Sequence, residues 1–303
     1  VTESNGDAAD TITDFVSADG DKIVIDGVVA GTAGQDFINL ATFAKVDSAG
    51  AGDNSLAGNI GATERVLGDA YYDGTQFVID VDGNGDIQSS ADIVIKSTGE
   101  IKAANVSYII NAGDGNDIIR GGQGADDLNG GNGADTFVLV GTLSDSEASA
   151  YSAAYVAASN DSAAVIGATL KPFETKVLAA SELFSSRSVN EVNAGDKINS
   201  LGNDASDTVH AFGTLDLSLI NNGGALNVGT LVVHSTASMT YAQAVALGKI
   251  VLDGNTPHTI TLKDDTGTSS DTINAILSKL LFLNQGSLTK VTINAPDGVL
   301  TVG

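Results

Sequence analysis

Residues 112–138 keep a nine-residue clock. Residues 112–120 read AGDGNDIIR, 121–129 read GGQGADDLN and 130–138 read GGNGADTFV. Each follows Gly-Gly-x-Gly-x-Asp-x-apolar-x, with Ala112 in place of the first glycine. Six residues of tight turn precede a three-residue strand with one inward apolar side chain: Ile119, Leu128 and Phe137. Glycine accepts positive φ and close backbone approach. Turn carbonyls and a carboxylate then converge as hard oxygen donors, the ligand set that Ca²⁺ takes. The candidate metal-ligating residues are Gly113, Asp114, Gly115, Asp117, Gly122, Gly124, Asp126, Gly131, Gly133 and Asp135.

Two such units make one coil of a parallel β-helix with a turn on each side. Every second turn therefore stacks, which puts Asp117 and Asp135 on one edge and Asp126 on the other. Carboxylates stacked edge to edge repel unless a cation lies between them. The metal is then part of the fold, and its binding free energy is folding free energy. One well-formed site is expected between 112–117 and 130–135, with weaker ones at the ends.

The repeat resembles the calcium-binding nonapeptide of the RTX, or hemolysin-type, secreted proteins. The likeness extends to DTITDF at 10–15, DKIVI at 21–25, YYDGTQFVIDVDGNGDIQSSADIVI at 71–95 and IKAANVSYII at 101–110. These look like the regions that flank the β-roll in serralysin-type proteases, RTX adhesins and RTX-containing S-layer proteins. The resemblance implies Ca²⁺ as cofactor and secretion, in that family usually by the type I route with an uncleaved C-terminal signal. The ending NAPDGVLTVG, an acid followed by apolar residues, is compatible with such a signal. Extracellular modules bind calcium at about 10⁻⁴–10⁻³ M, so the chain would fold only outside the cell.

Composition narrows the partners. Asp and Glu number 38 against 14 Lys and Arg, for a net charge of −24. Phosphate binding needs a basic surface, so nucleic acid is excluded as a partner. Anionic membrane surfaces are disfavoured too, and no stretch approaches the ~18 apolar residues of a span. The charge fits either bound divalent cations or an acidic surface kept for solubility. Cysteine is absent, so disulfides do not stabilise the chain. The N-terminal VTESNGDAAD has neither the basic nor the apolar region of a signal peptide.

A second candidate calcium loop is DVDGNGD, residues 80–86. Asp80, Asp82, Asn84 and Asp86 alternate, with Gly85 at the bend, as in the first half of an EF-hand loop. Position twelve is Ala91, and Asp92 stands one place beyond it as the substitute ligand. The competing reading is a polar hairpin turn.

The expected fold is mainly β: a short parallel β-roll, residues 111–140, between a β-rich module over 1–110 and a second over 141–303. A faint internal echo suggests the duplication: SNGDAADTITDF (4–15) resembles LGNDASDTVHAF (201–212), SSADIVI (89–95) resembles SSDTINAI (269–276), and VSYIINAGDG (106–115) resembles VTINAPDG (291–298). A few short helices are expected in the second half. Ser144 and Glu147 form a capping box ahead of an Ala/Ser-rich insertion over 142–189. TYAQAVALG (240–248) reads as a helix ending at Gly248, and SDTINAILSKLLFL (270–283) has helical spacing. The insertion suits either subunit contacts or a helical cover on a sheet.

Nothing in the sequence marks an enzyme. There is no H-E-x-x-H, no G-x-S-x-G and no P-loop. His210, His234 and His258 lie at no metal-ligand spacing and read as isolated surface or strand residues. The leading expectation is a secreted, calcium-dependent structural protein of a bacterial cell surface, an S-layer, filament or matrix subunit. It would pair with copies of itself as a homo-oligomer or polymer, with cell-surface polysaccharide as a further partner. Two alternatives are the C-terminal secretion and folding region of an RTX exoenzyme, and a calcium-dependent adhesin holding a sugar near Tyr71 and Tyr72.

Overall fold

The computed structural model describes residues 10–29, 37–39, 44–45, 69–72, 76–80, 93–97, 99, 101, 103–145, 147, 190–199, 205–220, 226–253, 257–263, 274, 276–283, 291–295 and 298–302. The chain opens with β1 (Asp10–Ile12), β2 (Ile23–Val29), β3 (Phe37–Asn39), β4 (Ala44–Lys45), β5 (Asp69–Tyr72), β6 (Gln76–Asp80) and β7 (Ile93–Ser97). Next come β8 (Val106–Asn111), β9 (Ile118–Arg120), β10 (Asp127–Asn129) and β11 (Thr136–Val140). Beyond residue 190 lie β12 (Lys197–Asn199), β13 (Thr208–Phe212), β14 (Thr214–Asp216), β15 (Thr230–Val233) and β16 (Thr236–Thr240). Helix α1 (Tyr241–Ala246) leads to β17 (Lys249–Asp253), β18 (His258–Lys263), β19 (Leu280–Leu283), β20 (Val291–Ala295) and β21 (Gly298–Val302).

From β8 onward the strands are shared between two walls, as a parallel solenoid requires. One wall is a seven-stranded sheet in the order β19-β17-β15-β13-β11-β9-β3, parallel at every pair. The opposite wall begins as the parallel sheet β12-β10-β8-β2 and continues as β14-β16-β18-β20-β21. Only its last pair, β20–β21, is antiparallel. A separate sheet, β1-β7-β6-β5-β4, is built from strands that precede the repeats.

Alternation along each strand builds the interior. Phe137 and Leu139, Val209 and Ala211, Leu231 and Val233, and Ile250 and Leu252 enter from the long wall. Ile110, Leu128, Ile198, Leu215, Ala237, Met239, Ile260 and Ile293 meet them from the other. All belong to one buried cluster, and each full-size aliphatic contributes about 1.5–3 kcal/mol by leaving water.

The sheet does not break at residue 140. Thr136–Val140 pairs residue for residue with Thr208–Phe212, so β13 extends the wall that the repeats begin. Val140 and Glu191 meet at the junction, the Glu191 N–H donating to the Val140 carbonyl at 3.0 Å, while Gly141 and Thr142 still pair with Phe212 and Thr214. The echoing segments do not occupy equivalent places. DTI of 10–12 is an edge strand of the separate sheet, whereas 208–212 is central in the long wall. VSYIIN leads into the roll, whereas VTINA turns back into an antiparallel hairpin.

The helical readings divide. Thr240 and Gln243 form a reciprocal capping box, and α1 ends at Ala246 rather than Gly248. The Ser144–Glu147 box is present, with Ser144 N–H donating to Glu147 Oε2 at 2.7 Å and Glu147 N–H to Ser144 Oγ at 3.3 Å. Residues 148–189 lie outside the described residues. The helical reading of 270–283 needs correcting at its end. Leu280–Leu283 is strand β19, because pairing with β17 satisfies its backbone and buries Leu280 in part.

Candidate metal centre

Each turn stacks on the turn two repeats before it. The Asn132 N–H donates to the Gly113 carbonyl at 2.8 Å, and Gly115 N–H donates to the Asn132 carbonyl at 2.9 Å. Gly131 and Gly133 carry φ of 93° and 144°. A Cβ on Gly131 would overlap the Gly113 carbonyl oxygen, and one on Gly133 the Gly115 carbonyl oxygen. The glycine pattern is therefore a packing requirement between coils as well as a conformational one. Asp114 is exposed and accepts from Asn132 Nδ2 at 2.8 Å. On the opposite edge Gly122 and Gly124 have φ of 87° and 122°, and Gly124 lies against the Val106 carbonyl.

The carboxylates form two ladders. On the first edge Asp135 Oδ1 accepts the Asp117 N–H at 2.9 Å, and Asp207 Oδ1 accepts the Asp135 N–H at 2.8 Å. All three are buried. The second oxygens of Asp135 and Asp207 are buried with no hydrogen-bond partner among the described residues. On the second edge Asp126 Oδ1 accepts the Tyr108 N–H at 2.8 Å, and Asp196 Oδ1 accepts the Asp126 N–H at 2.9 Å. Asp196 Oδ2 accepts from its own loop, the Asn193 N–H, at 2.7 Å.

Crowded, buried carboxylates resist ionisation. Burial pushes the Asp126 carboxyl up to about 8; the charges of Asp196 and Glu191 add to this and the Tyr108 N–H opposes it. Burial likewise raises Asp196 to about 6, with Glu191 adding. Asp135 is raised by burial and by the charge of Asp207, against the Asp117 N–H.

The sequence reading places Asp117, Asp126 and Asp135 on the two edges where they are found. It misses Asp196 and Asp207, which continue both ladders. Their turns have lost most glycines and come after the 141–190 excursion, so the clock is broken in two ways. The surviving signal is an Asp two residues before an inward apolar side chain: Asp196 before Ile198 and Asp207 before Val209. Of the second candidate loop, Asp80 ends β6. Asp82, Asn84, Asp86 and Asp92 lie outside the described residues, as do the side chains of Tyr71 and Tyr72.

The histidine reading holds for the strands, His210 lying in β13 and His258 in β18, and is corrected for the surface and for isolation. His210, His234 and His258 are all buried, and coil stacking brings them together. His210 Nδ1 lies 3.1 Å from His234 Nε2, His234 Nδ1 lies 3.3 Å from Asp253 Oδ2, and His258 Nε2 lies 3.1 Å from the Asp253 carbonyl. Phe212 stacks on His234 with ring centroids 4.0 Å apart. Burial holds all three imidazoles below their ordinary range, His210 at about 3. The three positions recur evenly, His234 lying 24 residues after His210 and His258 the same interval after His234, but so long a step belongs to no short metal-ligand motif.

Among the described residues, no group of three or more His, Cys, Asp or Glu side chains is placed to hold a metal ion. Side chains alone do not make a site, and turn carbonyls must complete it. Residues 109–137 match the family model of the RTX calcium-binding nonapeptide repeat, in four copies. The likeness to the RTX calcium-binding repeat is confined to this segment. RTX repeats bind Ca²⁺ and are typical of secreted proteins. No curated protein and no solved structure matches the chain. The RTX edge fits the ion: its donors are all oxygen, and Asp135 keeps a buried carboxylate oxygen without a hydrogen bond among the described residues. Asp117 and Asp135, with carbonyls of turns 112–117 and 130–135, would hold Ca²⁺, which supplies positive charge to a buried acidic edge. Among the described residues, no helix is long and apolar enough to cross a membrane.

Proposed function

We propose that this chain is a secreted, calcium-dependent structural protein of a bacterial cell surface, in which calcium drives folding and self-assembly into an S-layer, filament or matrix. The observation that carries this reading is the open end of the solenoid. Among the described residues β19 is the last strand of the long wall, and Leu281 and Phe282 are 46% and 47% exposed. Phe282 pairs with Leu252, a core position, so the interior is half open at this end. A coil of a second copy would close it and would also pair the strand edge. The net charge of −24 makes like copies repel until divalent cations neutralise them. On this reading the chain is no enzyme, and its main partner is itself, with cell-surface polysaccharide as the anchor.

The test is a calcium titration of chelator-treated protein followed by circular dichroism and light scattering together. β signal and large particles should rise in step. A folded monomer would refute assembly and favour the export-and-folding region of an RTX exoenzyme. Calcium-dependent retention of that monomer on a glycan array would favour an adhesin.

A further inference from the structure

We propose that Asp135 and Asp207 form a second calcium site on the first edge, one that clamps together the coils on either side of the 141–190 excursion. This rests on calcium binding by the RTX segment and is independent of assembly. The matched repeats end at residue 137, and residues 202–207 read GNDASD, without the glycine pattern. The backbone nonetheless repeats the preceding step. Thr136 N–H donates to the Asp117 carbonyl at 2.8 Å, and Thr208 N–H donates to the Asp135 carbonyl at 2.8 Å. The carboxylate contacts repeat as well, at 2.9 Å and then 2.8 Å. In sequence the first step spans 18 residues and the second spans 72.

Two facts point to a cation rather than to a structural cap alone. Asp135 and Asp207 are 1% and 0% exposed, and each keeps a buried second oxygen with no hydrogen bond among the described residues. Buried carboxylates of this kind are costly unless compensated. Among the described residues no protein cation pairs with Asp135 or Asp207: the ion pairs there are Arg120–Glu191, Lys197–Asp127, Lys263–Asp216 and His234–Asp253. Ser206 Oγ donates to the Gly133 carbonyl at 3.1 Å, so the two turns are already in contact. The ladder ends here, because Gly229 takes the next equivalent position. The second edge differs, since both oxygens of Asp196 accept backbone N–H groups.

The test is the calcium stoichiometry of the full chain by equilibrium dialysis, for wild type, Asp117→Asn, Asp207→Asn and Asp196→Asn. Asparagine keeps an oxygen acceptor for the Asp135 N–H, so Asp207→Asn retains the cap while removing the charge. Asp207→Asn should lose one ion relative to wild type, Asp117→Asn should lose one, and the double variant should lose both. Asp196→Asn should keep the wild-type count. An unchanged count and affinity in Asp207→Asn overturns the proposal. If Asp207→Asn does not fold in calcium, hydrogen exchange on the wild type decides. Calcium-dependent protection of 205–208 in step with 131–136 supports the clamp, and calcium-independent protection of 205–208 overturns it. A wild type that binds no calcium at all would instead refute the RTX reading, and the clamp with it.

Discussion

Replacing Arg120 with Met should destabilise the calcium-loaded protein by about 3–5 kcal/mol, the range for breaking a buried ion pair from one side. Arg120 and Glu191 are 6% and 3% exposed. Arg120 Nη2 donates to Glu191 Oε1 at 2.6 Å, and Nε reaches both carboxylate oxygens at 3.1 and 3.2 Å. Glu191 Oε2 also accepts the Val140 N–H at 2.9 Å. Without the guanidinium, Glu191 is left buried beside Asp126 and Asp196, whose carboxyls its charge already pushes up. The partner variant Glu191→Gln keeps the Val140 bond and removes the charge. The double variant Arg120→Met/Glu191→Gln carries neither charge and should cost only about 1–2 kcal/mol, the loss of ordinary hydrogen bonds. Urea denaturation at saturating calcium measures all four corners of the cycle. A cost below about 1 kcal/mol for Arg120→Met, or a double variant as unstable as the worse single, would refute the stranded charge as the cause. Salt should change these values little, because a buried pair is weakly screened.

Gly133→Ala should abolish calcium-induced folding followed by circular dichroism, since its Cβ meets the Gly115 carbonyl; Gly20→Ala, with open space around it, should cost only about 1 kcal/mol. Phe137→Ala, fully buried in the long wall, should cost about 3–5 kcal/mol by urea midpoint at fixed calcium. At saturating calcium, stability should fall as pH rises from about 6.5 to 8. The unfolded Asp126 is ionised throughout that window while the folded one, at about 8, still binds its proton, so the unfolded state binds fewer protons. Asp126→Asn should flatten that slope, and a wild-type profile rising over the same window would sink the assignment. Below that window the three buried histidines act in the other direction. Their folded values are lowered, so the unfolded chain takes up protons first and stability drops as pH falls. His210→Gln should weaken that acid sensitivity in denaturation profiles.

The repeats are legible because their chemistry is local. Ile119, Leu128 and Phe137 recur on the clock and are all buried. The coils beyond residue 140 are not legible, because parallel stacking constrains register and not coil length. In the long wall Thr136 pairs with Thr208, Thr208 with Thr230, Thr230 with Lys249 and Ile250 with Leu280, and no two of these steps cover the same length of chain. No fixed period survives such spacing, and the inward side chains alone carry the pattern. The run LLFL fits a helix or a strand equally by hydrophobicity; only its partner strand decides. Asp207 is visible as part of an echo of residues 4–15, but its place in a carboxylate ladder depends on backbone pairing that sequence does not display.

The junction at Val140 and Glu191 has a consequence for length. Val140 and Glu191 lie within one hydrogen bond of each other, Thr142 still pairs with Thr214, and the strands on either side keep their register. The span to be bridged is therefore nearly zero, whatever lies between. Closing a longer segment over such a gap costs only about 0.6 kcal/mol per doubling of its length. The solenoid is thus a frame with a splice point: a foreign domain whose own termini lie close together can replace 144–189, beyond the Thr142–Thr214 pair and buried Leu143, while β11 and β13 stay in register.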